Sequence, residues 1–136
     1  MNGRYTSGEI KTGTTNVSIA GNTIESVPAV LSRNGICFRY GKLSVSGLYS
    51  YTAKSYADAL NTELPSANGA VGLVPSYGLF DINSTFKISS KLELKASLNN
   101  IFNKHYFTKR PLFYPGPGIW PSDGRTATLS FIYKLG

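Results

Sequence analysis

Cations and aromatic rings are concentrated in the segment 109–125, where Lys109, Arg110, Trp120 and Arg125 lie among prolines, glycines and other aromatic residues. Long loops lie on the protein surface, and exposed rings and cations there can contact an anionic, partly organic ligand. These four side chains are therefore the candidate ligand-binding residues. A rigid loop that packs on itself without a ligand remains an open alternative, in which Arg125 has a structural role at the start of the last strand.

No combination of residues predicts catalysis or a bound metal. His105 is the single histidine and Cys37 the single cysteine, so neither residue type can form a metal cluster. Asp58, Asp81 and Asp123 fall in separate segments, without the helical or hairpin spacing that pairs two carboxylates. The sequence therefore predicts a protein that is not an enzyme and that has no cofactor.

The length and composition are those of one folded domain. Of the 136 residues, 41% are hydrophobic and 15% are charged, which is too apolar for a disordered chain. The net charge of +7 comes from Lys and Arg residues spread singly along the chain, so nucleic-acid binding is not predicted. No apolar run is long enough for a transmembrane helix, but membrane-spanning strands need only short alternating segments. Residues 1–4 have no signal-peptide pattern, which predicts a mature fragment or a lost gene start.

Alternation of apolar and polar residues predicts strands that have one apolar and one hydrated face. The clearest case is the segment 92–99, in which every second residue is Leu or Ala and the others are Glu, Lys, Ser or Asn. The alternation stops at Asn99-Asn100, which predicts a β-bulge. The strands predicted in this way are 29–40, 43–51, 77–88, 92–98 and 124–135, with Arg4–Ile10 as the tail of an earlier strand.

Short and long connections alternate along the chain. Gly41-Lys42 and the segment 89–91 predict tight turns, whereas 11–28, 56–76 and 109–124 are long and rich in turn-forming residues. Outer-membrane barrels have short periplasmic turns and longer external loops, and this alternation is typical of them.

The segment Leu98–Tyr106, read as Leu-Asn-Asn-Ile-Phe-Asn-Lys-His-Tyr, resembles the N-L-F-D-x-x-Y signature of TonB-dependent outer-membrane receptors. Ile101 stands where that family usually has Leu, and Asn103 where it usually has Asp. The start of the last strand, Gly124-Arg125, is similar to the ferric-citrate and siderophore branch of the family. Further segments that resemble the family are Gly21–Pro28, Ser55–Ala59 and Pro75–Tyr77.

The resemblance implies an all-β fold: an antiparallel up-and-down transmembrane β-barrel, present as a C-terminal fragment of about five to six strands. Residues 1–136 would then be a C-terminal barrel segment without the plug domain, located in the outer membrane of a Gram-negative bacterium. The implied function is uptake of iron-siderophore or ferric-citrate complexes, with the fragment incomplete and not functional alone. Outer-membrane lipid and lipopolysaccharide are the implied partners, and the iron chelate and TonB bind only through the complete receptor. A small soluble β-sandwich binding module is the alternative.

Under the barrel interpretation, the period of two assigns each side chain to lipid or to the barrel lumen. The residues predicted to face lipid are Phe80, Ile82, Phe86, Leu94, Ala96, Leu129 and Phe131. Those predicted to face the lumen are Asp81, Asn83, Lys87, Glu93 and Lys95.

Overall fold

The computed structural model describes residues 3–113 and 116–135, and every regular element in them is a β-strand. No helix in this described part is long and apolar enough to span a membrane. The strands are β1 (Glu9–Thr12), β2 (Thr15–Ser18), β3 (Leu31–Tyr40), β4 (Leu43–Thr52), β5 (Ser55–Tyr56), β6 (Leu73–Val74), β7 (Tyr77–Lys87), β8 (Leu92–Asn99), β9 (Phe107–Lys109), β10 (Trp120–Pro121) and β11 (Thr126–Tyr133).

The described chain divides into two compact units. The sheet unit comprises Ser32–Tyr51, Gly78–His105 and Asp123 onward, and the loop unit comprises the described residues of the remaining segments. The sheet unit is built on a five-stranded sheet in the order β11-β8-β7-β4-β3. The loop unit carries three two-stranded sheets, formed by β1-β2, β5-β6 and β9-β10.

The five long strands follow one another across the sheet in chain order, and the sheet is open rather than closed on itself. The described pairs β7-β8 and β8-β11 are antiparallel. The prediction of an all-β antiparallel architecture is therefore confirmed, with five long strands. Their lengths of 8 to 11 residues differ from the predicted bounds by up to two residues at either end.

The predicted alternation of short and long connections is also present. Gly41-Lys42 alone joins β3 to β4, and Gly41 has a φ of 55°, a conformation that costs glycine little. Residues 88–91 join β7 to β8, whereas residues 53–76 and 100–125 join the remaining neighbours. In an antiparallel sheet, successive connections lie at opposite ends of the strands, so the short turns share one end and the long connections the other.

The register brings apolar residues of neighbouring strands onto one face. Leu94 is opposite Phe86 on one side and Phe131 on the other, and antiparallel partners point to the same face. Phe131 is 69% exposed and Leu129 is 62% exposed, so no described residue of the sheet unit covers this face. A β-sandwich would need a second sheet there. The buried hydrophobic residues of the described chain, Ile19, Ala70 and Val74, all lie outside this unit.

Two local predictions were wrong. The segment Lys11–Ser26 was predicted to be a loop, but Glu9–Thr12 and Thr15–Ser18 form a hairpin whose turn contains Gly13 at a φ of 63°. Composition masked the alternation of its β-branched threonine and valine residues, which favour strands. The predicted bulge at Asn99-Asn100 is instead the end of β8, because Asn100 adopts a φ of 48° and begins a turn.

Candidate ligand site in the loop unit

Two of the candidate ligand residues lie side by side on a short hairpin. Lys109 on β9 is the register partner of Trp120 on β10, and the register then shifts, as in a β-bulge, so that Pro121 is opposite Phe107. Directly opposed residues in an antiparallel pair project to the same face. The Trp120 side chain is 51% exposed, so its ring and the Lys109 ammonium form one accessible pair of an aromatic group and a cation.

An apolar depression of about 370 Å³ adjoins Trp120. Among the described residues, its walls are formed by prolines, glycines, Ile119 and the indole ring, and none of these carries a charge. A depression of this kind offers van der Waals contact to a flat organic group, while the neighbouring Lys109 offers a positive charge. The residues that line it are Pro111, Gly116, Pro117, Gly118, Ile119, Trp120 and Pro121.

Arg110 is held by backbone carbonyls of a different connection. Its Nε donates to Leu73 O at 3.1 Å and its Nη1 donates to Gly69 O at 2.8 Å. The guanidinium also lies 4.9 Å from the centre of the Phe107 ring, a cation–π distance. Arg110 therefore joins the connection 100–125 to the connection 53–76, and much of its hydrogen-bonding capacity is used inside the protein.

The same two connections approach each other closely at a pair of glycines. Gly69 has a φ of 74°, and a β-carbon on it would lie only 3.3 Å from Gly118 Cα. Glycine is needed here both for its backbone conformation and for the narrow space. Tyr77 and Tyr106 lie at the base of these connections, where their ring centres are 4.4 Å apart.

The segment 11–28 is tied to the connection 53–76 through Asn61. Its side chain accepts from Thr23 N and donates to Thr23 O, each at 2.7 Å, in the manner of a paired strand. Asn22 Nδ2 donates to Ala59 O at 2.8 Å, and the Asp58 carboxylate accepts from Thr62. Hydrogen bonds therefore join the segment 11–28 to the connection 53–76, and Arg110 joins that connection to 100–125. These bonds support the segment that carries Lys109 and Trp120.

Arg125 belongs to the sheet unit, whereas the other three candidates belong to the loop unit. Its backbone N–H donates to Asn103 Oδ1 at 2.9 Å. A β-carbon on Gly124 would lie 2.8 Å from the same oxygen, so this amide packs tightly against the chain that precedes β11. This hydrogen bond involves only the backbone of Arg125, and the role of its side chain stays a prediction.

Sequence reasoning missed the most buried polar side chain of the sheet unit, Asn100, which is 5% exposed. Its Nδ2 donates to Lys104 O at 2.9 Å, and its Oδ1 accepts from Lys104 N at 2.8 Å. The Asn100 N–H donates to Asp81 Oδ1 at 2.7 Å. Asp81, predicted only as a lumen residue, therefore anchors the turn that follows β8. The signal available was the pair of asparagines directly after the alternation, since asparagine favours turns with positive φ.

In the described part of the chain, no group of three or more His, Cys, Asp or Glu residues is arranged to hold a metal ion. The site is thus built from a cation, an aromatic ring and an apolar depression, with Arg110 fixed behind them. Such a set can bind a partly organic anion.

No protein-family model matches the chain. Among curated proteins, the chain is similar to the probable TonB-dependent siderophore receptor PiuA of Acinetobacter baumannii, with 27% identity over 115 residues, which are 84% of this chain and 14% of that protein. Among solved structures, the ferric citrate transporter FecA matches with a TM-score of 0.77 and 23% identity over 84% of this chain and 18% of its own. The siderophore receptor PiuA from Acinetobacter baumannii matches with a TM-score of 0.73 and 22% identity over 93% of this chain and 17% of its own.

The chain therefore spans less than a fifth of the length of each of these relatives. The structural likenesses confirm the fold, which is part of the barrel wall in such proteins. Together with the curated relative, they confirm the resemblance predicted from the segment 98–106. These relatives are receptors and transporters, not enzymes.

Proposed function

We propose that this chain, which by sequence and fold is part of the barrel of a TonB-dependent siderophore receptor, forms one section of the wall of an outer-membrane receptor for iron chelates. The observation that carries the proposal is the five-stranded antiparallel sheet whose apolar face is exposed. A tilted membrane-spanning strand needs about 9–11 residues, and β3, β4 and β7 have 10, 10 and 11. This face would lie against lipid, and the face that carries Asp81, Asn83 and Lys87 would line the lumen.

In this proposal, residues 1–136 supply strands of a barrel that other strands close. A closed wall is required because an open edge in hydrocarbon leaves backbone N–H and C=O groups without partners, at several kcal/mol each. The short turns would lie on the periplasmic side and the long connections outside the cell, as is typical of outer-membrane barrels. TonB and the plug would act through the complete receptor. In this proposal the section has no enzymatic activity, holds no cofactor and does not bind nucleic acid.

The ligand we propose is an iron chelate such as ferric citrate or an iron-siderophore complex, the compounds named for FecA and PiuA. Such complexes combine negative charge with organic groups. Lys109 supplies the charge, Trp120 and its apolar depression supply the contact surface, and Arg110 holds the loop that carries them. Arg125, which belongs to the sheet unit, stays a separate candidate for ligand binding. Lipopolysaccharide, which is also anionic and partly apolar, is a second partner for the same exposed residues.

Ligand binding is tested in the complete receptor with the double variant Lys109→Ala/Trp120→Ala. We expect ferric-chelate affinity and uptake of radioactive iron to fall about tenfold or more, since a buried aromatic anchor and a charged contact each contribute on the order of 1–2 kcal/mol. The amount of receptor at the cell surface should stay unchanged. Arg125→Ala, measured separately, shows whether its side chain takes part.

The matched control is Lys11→Ala/Leu64→Ala, which removes one exposed cation and one exposed apolar side chain from the other connections. Uptake by this control should equal that of the unmodified receptor. Equal uptake by both double variants would reduce the hairpin to a scaffold. A receptor that takes up no iron chelate at all would instead refute the proposed transport function.

A further inference from the structure

A second concave region lies at the short-turn end of the five-stranded sheet, within the sheet unit. It is a depression of about 380 Å³ bounded by the β3-β4 turn and by β7. Three cations line it, Arg39, Lys42 and Lys87, together with the hydroxyls of Ser44 and Thr85. We call this set the cation depression.

The register of three strands brings these residues together. Lys87 N donates to Lys42 O at 2.9 Å, which sets the end of β7 beside the turn. This bond makes Thr85 the neighbour of Ser44, and both point to the polar face of the sheet. The two-residue turn Gly41-Lys42 sets Arg39 of β3 opposite Ser44 of β4. Arg39 therefore lies on the same face as Ser44. Lys42 Nζ donates to Ile88 O at 3.0 Å, so its ammonium is held near the depression.

No carboxylate lines the cation depression among the described residues. The nearest acidic side chain along the sheet is Glu93, the register partner of Lys87. One Glu93 oxygen is 3.4 Å from Lys95 Nζ, so this carboxylate already shares its charge with another cation. Three like charges around one concave region repel each other and raise the local concentration of anions.

We propose that the cation depression binds a phosphate-type oxyanion. Arg39 offers the planar pair of donors that matches two phosphate oxygens, and the ammonium groups of Lys42 and Lys87 add charge. Ser44 and Thr85 are hydroxyl donors for the remaining oxygens. The phosphate is a free ion, because Thr85 and Lys87 share the polar face that the proposed function assigns to the lumen, away from lipid. Binding of the free ion does not itself depend on the proposed membrane function.

The test uses the complete purified receptor in a non-ionic detergent, with inorganic phosphate as the probe and calorimetry as the measurement. The variant Arg39→Gln/Lys42→Gln/Lys87→Gln removes the three charges and keeps side-chain length. We expect it to bind phosphate about tenfold or more weakly, since several charge-assisted hydrogen bonds are lost. Arg39→Lys keeps the charge but loses the planar fork, and its affinity should fall about threefold. Circular dichroism establishes that each variant keeps its strands.

The control Lys11→Gln/Arg33→Gln/Lys54→Gln removes the same charge from positions outside the cation depression. Its phosphate affinity should stay within about twofold of the unmodified receptor, and an equal loss in both triple variants would refute the site. In a second arm, the receptor is placed in phosphatidylcholine nanodiscs with or without phosphatidylglycerol. Because the depression lies on the polar face, the anionic lipid should not displace bound phosphate, and displacement by it would overturn the free-ion proposal. Absence of phosphate binding in detergent also overturns the proposal.

Discussion

Replacing Asn100 by Ala tests the turn that ends β8. The asparagine side chain makes two hydrogen bonds to the backbone of Lys104, and the residue has a φ of 48°. Asn100 is 5% exposed, whereas Lys104, whose backbone groups lose their partners, is an exposed residue. Asn99, its neighbour, is exposed, and its side-chain bond is to Thr126 Oγ1 at 3.3 Å. The two adjacent asparagines therefore provide a matched pair of positions.

The expected loss of stability has two parts. The N–H and C=O of Lys104 lose their partners, and each lost hydrogen bond costs about 1 kcal/mol. Alanine in the left-handed region adds roughly 1–2 kcal/mol, a cost that asparagine partly avoids. Asn100→Ala should therefore destabilise the sheet by about 3–4 kcal/mol. Asn100→Gly also loses the two hydrogen bonds but avoids the conformational cost, so it should lower the stability by about 2 kcal/mol. Asn99→Ala should lower it by about 0.5 kcal/mol or less.

The assay is urea unfolding of the complete receptor in lipid vesicles, followed by tryptophan fluorescence and by the mobility shift on heating. The predicted order of stability is unmodified receptor and Asn99→Ala, then Asn100→Gly, then Asn100→Ala. An equal loss for Asn99→Ala and Asn100→Ala would refute the argument that the buried side chain holds the turn. A larger loss for Asn100→Gly than for Asn100→Ala would refute the conformational part alone.

Two further predictions concern the sheet faces and the loop support. Leu94→Lys should lower the free energy of unfolding by roughly 2–4 kcal/mol in the same assay if the site is near the bilayer midplane. Ser97→Lys on the opposite face should lower it little, and an equal effect of both variants would refute the assignment of faces. Arg110→Ala removes two hydrogen bonds and one cation–π contact, so the loop unit should be cleaved several-fold faster by protease. Lys54→Ala should leave the cleavage rate unchanged, and equal rates for both variants would show that Arg110 does not support the loops.

Local patterns in the sequence were sufficient to predict the five long strands, whereas the assignment of their faces to lipid and lumen stays a prediction. The alternation in 92–99 and the two-residue turn at Gly41-Lys42 depend on neighbouring residues, because side-chain direction and turn conformation are set within a few positions. The motif at 98–106 likewise predicted the resemblance to TonB-dependent receptors, and the curated relative and the solved structures confirm that similarity. The β1-β2 hairpin was missed because its composition is typical of a loop, although its alternation was visible.

The roles of Asn100 and Arg110 were decided only by the tertiary structure. Arg110 meets carbonyls that lie 37 and 41 positions earlier in the chain, and Asp81 meets an amide 19 positions later. Nothing in the local sequence distinguishes an arginine that binds a ligand from one that binds a distant backbone. The cation depression has the same origin, since Arg39 and Lys87 come together only through the order of strands in the sheet. The period of a strand and the conformation of a turn depend on neighbouring residues, whereas these contacts join residues far apart in the chain and depend on the tertiary fold.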